Sequence, residues 1–138
     1  SIYNKKLCKN YIITGNYGFI TSYDYNEDKI YHKYSEDDDK RHYSLVMNDS
    51  EEIIKLIDSS CDGNDRIWNF DSAELLKKIN VENNTLHSIC LWSNDYLFVS
   101  CMDGTIQLIE LNKGEIIKHL EGYNSIVVCI KKNKTSSI

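Results

Sequence analysis

Cysteine and histidine are the residue types in this chain best suited to nucleophilic or metal chemistry, but their spacing supports neither strongly. The chain has five cysteines and four histidines among 138 residues. Structural zinc sites and redox dithiols usually place two cysteines two residues apart, and no pair here has that spacing. His87 and Cys90 lie three residues apart on one predicted strand, so their side chains point to opposite faces and cannot pair directly. A metal site built from His42, Cys61 and Cys101 is a weaker alternative than ordinary loop and packing roles.

Other sequence motifs for catalysis are missing as well. The six glycines are scattered, and none belongs to a G-x-G-x-x-G or Walker phosphate-binding loop. No pair of carboxylates is singled out by its neighbours. We therefore predict that the protein is not an enzyme and uses no metal or other cofactor. The odd number of cysteines, several of them in apolar runs, predicts reduced thiols and an intracellular location, cytoplasmic or nuclear.

The charge of the chain narrows the classes of partner. The net charge is −5 with a pI of about 5.3, and no basic stripe of the kind found on nucleic-acid-binding proteins is visible. No apolar run approaches the roughly 20 residues needed to cross a bilayer, so we predict no membrane partner. The acidic run Glu-Asp-Asp-Asp at 36–39 could attract a basic segment, although a solvated loop is the plainer interpretation. The chain begins with Ser and without a signal peptide, so we expect a trimmed chain or a piece of a longer protein.

The elements that must position these residues are repeated along the chain. The Asp-Gly pair at 62–63 recurs at 103–104, 41 residues later, and the same shift places apolar positions on apolar positions. A third copy lies 45 residues upstream, where Gly18 takes the place of the glycine at 63 and Tyr23 that of Trp68. The extra residues fall near the acidic run, where a loop accommodates an insertion easily. This period indicates a tandem array of structural units.

Each unit is predicted to contain four short antiparallel strands. Asp-Gly between two apolar runs favours a hairpin, because a tight turn needs positive φ and Gly adopts it at little cost. AELLKKI (73–79) could form a helix by itself, but its counterparts GEIIKHL (114–120) and DKIYHKY (28–34) suit a strand, and one structure must serve all three. Each unit also contains a further apolar run, whose composition is typical of the most buried strand of a sheet. These runs are YSLVM (43–47), HSICLW (87–92) and SIVVCI (125–130).

The predicted fold class is therefore all-β, with four-stranded antiparallel units. The units span approximately 1–34, 35–79 and 80–120, and the first strand of a further unit lies in 121–138.

Four strands per unit, an Asp-Gly turn and the sequence RIWN resemble the WD-repeat β-propeller family. The resemblance is carried by CDGNDRIWNF (61–70) and MDGTIQLIEL (102–111). It implies structural roles for the turn residues Asp62, Gly63, Asp103 and Gly104, and a packing role for Trp68. The family's Trp-Asp pair is Trp-Asn at 68–69, and its Gly-His pair survives only as Gly-Tyr at 122–123. The bracing network of His, Asp, Ser and Trp is therefore expected to be incomplete.

A propeller closes with about four to eight blades, and this chain has about three. It is therefore predicted to be part of a larger propeller, or an incomplete ring that copies of the chain complete by association.

The resemblance implies a non-catalytic scaffold that displays loops to protein partners. The turns between second and third strands and the loops leading into each first strand should share one face. The alternatives are a self-assembling structural module and, with less support, a ligand-binding or enzymatic propeller with a site in its central channel. The candidate partner-contact residues are Tyr17, His42, Cys61, Arg66, His87, Met102 and Tyr123.

Overall fold

The computed structural model describes residues 2–4, 9–37, 39–49, 52–81, 85–121 and 124–133, with side chains from residue 9 onward. Within these ranges the chain forms twelve strands, and no helix there is long and apolar enough to span a membrane. The strands are β1 (Ile2–Asn4), β2 (Lys9–Gly15), β3 (Ile20–Asp24), β4 (Lys29–Tyr34), β5 (His42–Asn48), β6 (Lys55–Ser60), β7 (Asn64–Asn69), β8 (Leu75–Asn80), β9 (Leu86–Leu91), β10 (Tyr96–Cys101), β11 (Ile106–Glu110) and β12 (Glu115–Leu120).

The strands form three four-stranded antiparallel sheets, and in each sheet every strand pairs with its neighbour in sequence. We call β1–β4 blade 1, β5–β8 blade 2 and β9–β12 blade 3. The predicted all-β fold class with four-stranded antiparallel units is confirmed. The segment 73–79, whose composition also suits a helix, forms most of β8, which ends at Asn80.

Two turns in each blade are built on residues with positive φ. The turn between second and third strands has Gly18, Gly63 or Gly104, with φ between 74° and 90°. The turn between third and fourth strands has Asp28, Ala73 or Gly114 at equivalent places, with φ between 53° and 73°. Since the same backbone conformation recurs at both turns, the repeat seen in the sequence is a repeat of local structure.

Blades 1 and 2 pack through an aromatic cluster. Tyr11 and Tyr34 of blade 1 are buried against Leu56, Trp68 and Phe70 of blade 2. The Tyr11 and Phe70 rings lie edge to face with centroids 5.1 Å apart, and the Tyr34 hydroxyl donates to the Phe70 carbonyl at 2.7 Å. The buried hydroxyl therefore has a partner, which removes most of the cost of burying it.

Blades 2 and 3 pack through an aliphatic cluster instead. Ile57, Ile67 and Ile79 of blade 2 are at most 5% exposed and meet Leu97 and Ile109 of blade 3, which are fully buried. Each blade thus buries one face against its neighbour, as expected for a repeat array.

The described residues 124–133 differ from the sequence-based expectation. The apolar run at 125–130 was expected to be the first strand of a further unit, but no strand is formed there. Strand hydrogen bonding needs a partner strand, and the described chain offers none beyond β9 on this side. The segment instead reaches blade 3 through two serine hydroxyls, Ser88 and Ser100.

Candidate partner-binding surface

One side of the three blades carries a repeated contact between a turn and the chain leading into a first strand. In blade 2 the N–H of Cys61 donates to the Arg41 carbonyl at 3.0 Å, and in blade 3 the N–H of Met102 donates to the Thr85 carbonyl at 2.8 Å. Neighbouring blades are joined similarly, since Tyr17 forms a β-bridge with Arg41 and the Thr85 hydroxyl donates to the Cys61 carbonyl at 3.2 Å. These residues form a continuous row across the blades.

Two stacked pairs project from this row. Tyr17 is 59% exposed, and the Arg41 guanidinium lies over its ring, 4.4 Å from the centroid. Tyr43 stacks on His87 with ring centroids 5.0 Å apart and planes tilted by 22°. Met102 adds a half-exposed thioether. Stacking limits the freedom of these side chains, so they lose little entropy when a partner covers them. The upper surface comprises Tyr17, Arg41, Tyr43, Cys61, Thr85, His87 and Met102.

His42 does not belong to this surface, and its expected contact role is wrong because the side chain is buried. His42 Nδ1 lies 2.5 Å from Asp58 Oδ2, and Trp68 Nε1–H donates to Asp58 Oδ1 at 2.6 Å. One carboxyl group thus joins the first, second and third strands of blade 2. Side chains alternate in direction along β5, so His42 points inward whereas its neighbour Tyr43 points outward, which explains the error.

Arg66 is also buried, so its expected role as a contact residue is wrong. Its guanidinium pairs with Asp62 at 2.6 Å and with Glu36 at 2.5 Å, and Glu36 also accepts from Lys78 at 2.9 Å. Burial alone would raise the pKa of Asp62, but hydrogen bonds from Arg66 and Asn64 outweigh it and hold that pKa well below its usual range. The network ties the loop between blades 1 and 2 to β7.

The arrangement of these blades is found in known propellers. The crystallised WD40 β-propeller domain of Doa1 aligns with a TM-score of 0.74 at 20% identity, over 88% of this chain and 40% of that one. The chain has the fold of WD-repeat β-propeller blades. A computationally designed protein, Ika4, aligns with these blades with a TM-score of 0.75 at 16% identity, over 91% of this chain and 75% of that one.

One curated relative extends the similarity to sequence. The U3 small nucleolar RNA-associated protein 21 homolog of Schizosaccharomyces pombe is 28% identical over 82 residues, which is 59% of this chain. The matched part is only 9% of that relative's length. No family model matches the chain.

The residues that carried the WD-repeat resemblance lie at the predicted turns. Asp62 Oδ1 accepts the Asn64 N–H at 3.1 Å, and Asp103 Oδ1 accepts the Thr105 N–H at 2.9 Å. Both follow the same side-chain-to-backbone pattern before the positive-φ glycines at 63 and 104. Trp68 packs at the boundary of blades 1 and 2. Blade 2 does contain a bracing network, in which Asp58 connects His42 directly to Trp68 without a serine between them.

Part of the acidic run at 36–39 is already paired with basic residues of the same chain. Glu36 is bound by Arg66 and Lys78, whose hydrogen bonds lower its pKa against the opposing effect of burial. Asp37 and Asp39 are exposed, and position 38 lies outside the described residues. The charge available to a basic partner is therefore smaller than the sequence indicates.

A buried carboxyl in blade 2 has no partner among the described side chains. Both oxygens of Asp65 lack a hydrogen bond, as does the hydroxyl of Ser59 opposite it. Burial raises the pKa of Asp65 well above its usual value. Ile20 and Ile106 occupy the equivalent places in blades 1 and 3. Asp65 is thus a polar residue at an apolar position.

The remaining site predictions divide between this surface and the core. Tyr17, Cys61, His87 and Met102 lie on the upper surface, whereas Tyr123 is outside the described residues. Cys101 is buried in the core, whereas Cys61 is only partly buried. Within the described ranges, no three His, Cys, Asp or Glu side chains are grouped to hold a metal ion. Sequence reasoning missed Arg41 and Tyr43, although both flank His42 at the start of a predicted strand.

Proposed function

We propose that the chain is part of a non-catalytic WD-repeat scaffold that binds a protein partner through its upper surface. The observation that carries the proposal is the pair of stacks on adjacent blades, Arg41 on Tyr17 and Tyr43 on His87. Tyr and Arg are enriched among residues that dominate binding energy. Their aromatic bodies offer apolar area, and their polar tips offer hydrogen bonds to a partner's backbone.

The similarity to the S. pombe protein suggests a class of partner. Its name places that relative with a small nucleolar RNA, and we propose that this chain joins a ribonucleoprotein assembly in the nucleus through protein subunits. Direct RNA binding is disfavoured by the net charge of −5. Arg41 is exposed within the first stack, and the exposed Asp37 and Asp39 precede it in the same loop, so a partner segment with both charges fits this side best.

Affinity purification of the tagged protein with quantitative mass spectrometry tests the proposal. Tyr17→Ala combined with Tyr43→Ala removes both stacks without touching the core. Each hot-spot aromatic contributes about 2 kcal/mol or more, so at least one stoichiometric partner should fall more than tenfold in recovery. Both positions are surface-exposed, and the unfolding midpoint should change little.

Ile53→Ala is the matched control, because Ile53 is 45% exposed in the loop before β6, at the opposite ends of the strands. It should keep every partner. Equal recovery of all partners from the double variant and the wild type would show that the upper surface is not the binding site.

A further inference from the structure

The boundary between blades 2 and 3 contains a cavity of about 140 Å³. It lies at the strand ends opposite the upper surface, and residues of both blades line it. All of its lining residues fall between positions 48 and 112, in the interior of the sequence. We call it the lower cavity. Its lining includes Lys55, Leu76, Lys77, Asn94, Leu111 and Asn112.

Three aromatic rings pack at the corresponding place between blades 1 and 2. Tyr11 lies against Tyr31 and Phe70, with ring centroids 5.0 and 5.1 Å away. The rings of Tyr31 and Phe70 are themselves 5.7 Å apart. Each ring is thus in contact with the other two, and the three together fill the space between these blades.

Strand register identifies the counterparts of these rings one blade later. The first ring belongs to the residue paired with the end of the third strand, the second lies at the bulge of the fourth strand, and the third follows the third strand. The same places at the next boundary hold Lys55, Leu76 and Leu111. One flexible lysine and two smaller side chains therefore replace three packed rings. Since protein interiors are otherwise filled to the density of organic crystals, the missing ring volume remains as the lower cavity.

Two side chains of blade 2 fix the wall of the lower cavity by donating to backbone carbonyls of blade 3. The buried Asn48 side chain donates to the Asn94 carbonyl at 2.9 Å. The Lys77 ammonium donates to the Leu111 carbonyl at 3.2 Å and also to the Asn112 carbonyl. Because these bonds already hold the two blades together, a ligand that enters has little further ordering to offset.

Lys77 makes the lower cavity attractive to an anion. An ammonium group has three N–H donors, so two backbone carbonyls leave one for a ligand. Among the described residues, no carboxylate forms an ion pair with Lys77. Asp95 does not line the cavity, and its carboxylate accepts from the Asn112 side chain at 2.9 Å. At the other boundary the place of Asn112 is held by Asp71, which accepts the Tyr31 hydroxyl at 3.4 Å. An acid at the first boundary is thus an amide at the second, beside a lysine.

We propose that the lower cavity binds a glutamate side chain of a partner protein, with its carboxylate on Lys77 and its methylene groups against Leu76 and Leu111. This side chain has about as many heavy atoms as benzene, which an apolar cavity of about 150 Å³ holds. A hydrogen bond between ionised groups is stronger than a neutral one. Asn94 and Asn112 are exposed where they line the cavity, so their amides can meet the partner's backbone. This site is separate from the upper surface and does not rest on the function proposed for it.

NMR titration of the isotope-labelled chain with a blocked Gly-Glu-Gly peptide measures the binding. The amide signals of the lining residues should shift and saturate at millimolar peptide. The blocked Gly-Gln-Gly peptide has the same shape without the charge and should bind at least about tenfold more weakly. Glutarate carries the carboxylate without a peptide backbone and should also bind more weakly. Glutarate binding as tightly as the Glu peptide would overturn the assignment to a protein partner and indicate a free acid.

Two variants test the site in different ways. Lys77→Gln removes the charge and should weaken Glu-peptide binding at least about tenfold. Lys118→Gln is its matched control, because Lys118 holds the same place in blade 3 and does not line the cavity. Leu76→Tyr introduces the residue of blade 1 and keeps Lys77, so it should abolish binding by filling the space.

Leu76 is 41% exposed, so the larger ring can be accommodated and the unfolding midpoint of Leu76→Tyr should not fall. Wild-type chain that shows no shifts with the Glu peptide would overturn the proposal. Equal binding of the Glu and Gln peptides, or equal losses from Lys77→Gln and Lys118→Gln, would do the same, as would full binding by Leu76→Tyr.

Discussion

Blades 2 and 3 have the same strand order and register but hold their strands together in different ways. In blade 2, Asp58, Arg66 and Trp68 occupy buried positions and connect to His42, Asp62 and Glu36. In blade 3 the equivalent residues are Val99, Gln107 and Ile109, all buried. At these three positions, blade 2 is braced by hydrogen bonds and ion pairs, and blade 3 by aliphatic packing with a single amide.

The difference shows that the blade backbone does not require the polar brace. The turn residues are common to both blades, since Asp62 and Asp103 accept equivalent backbone N–H groups. The His42–Asp58–Trp68 contacts add a directional link from β5 through β6 to β7. Such a network is stabilising only while every member keeps its partner, because an unpaired buried donor costs free energy. Blade 2 therefore gains specificity at the risk of greater sensitivity to single changes.

Replacing Asp58 by valine, the residue at the equivalent position in blade 3, should have the largest effect on the free energy of unfolding. Asp58→Val leaves the His42 ring nitrogen and the Trp68 N–H without their shared acceptor. Each of the two orphaned buried groups costs about 1–3 kcal/mol, so the free energy of unfolding should fall by about 2–6 kcal/mol. Urea denaturation followed by Trp fluorescence measures it.

The reciprocal change, Val99→Asp, is the matched control. It places a carboxyl in blade 3, where Ile109 supplies no donor, and should also destabilise by several kcal/mol, about 2–4. If Asp58→Val changed stability by less than about 0.5 kcal/mol, the polar brace would be unimportant and the contrast between blades would have no energetic meaning.

Asp65 offers the opposite test, since blade 2 departs there from the apolar residue of both sister blades. Asp65→Val removes a buried carboxyl that has no described partner and fits the space better than the larger Ile. The free energy of unfolding should rise by about 1–3 kcal/mol at neutral pH.

The gain from Asp65→Val should depend on pH. Burial raises the pKa of Asp65 in the folded chain, so the unfolded chain ionises first, from about pH 4 upward. The contribution of Asp65 to stability therefore falls as pH rises above that value, and the variant lacks this loss. Unfolding at pH 3.5 and pH 7 should show a larger advantage for the variant at pH 7. An equal advantage at pH 3.5 and pH 7 would mean that Asp65 is not neutral in the folded chain. The variant Asp65→Asn should abolish only the pH dependence.

The fold was predictable from the sequence because its signals are local and repeated. The Asp-Gly turns and the apolar runs around them recur at a nearly constant spacing, and a segment such as 73–79, ambiguous by itself, is resolved by its counterparts. The run at 125–130 has the same apolar signal as β5 and β9, yet no strand forms, since a strand also needs a partner that local sequence does not supply.

The site was less predictable because burial depends on which way a side chain points. His42 and Tyr43 are adjacent, and a shift of one residue exchanges the core position for the surface position. Arg66 follows a turn expected to be exposed, but its two carboxylate partners allow it to be buried. Asp58 lies in no motif, and its role follows only once His42 and Trp68 are brought to it.

The turn between third and fourth strands provides the smallest and most closely matched comparison. Ala73 and Gly114 occupy equivalent places with φ of 60° and 73°, and each donates its N–H to the carbonyl four residues earlier, at 2.9 and 2.8 Å. Gly114→Ala should destabilise by about 1 kcal/mol through backbone strain, since a Cβ there would meet Ile79 only at an ordinary 3.4 Å. Ala73→Gly relieves similar strain but loosens the unfolded chain by about 0.4–1 kcal/mol, so its net effect should lie between zero and a slight gain. Thermal unfolding of both variants separates backbone strain from the freedom of the unfolded chain. If Ala73→Gly lost as much stability as Gly114→Ala, the Ala73 methyl group would stabilise the turn of blade 2 by packing. The positive φ of Ala73 would then carry no net cost in backbone strain.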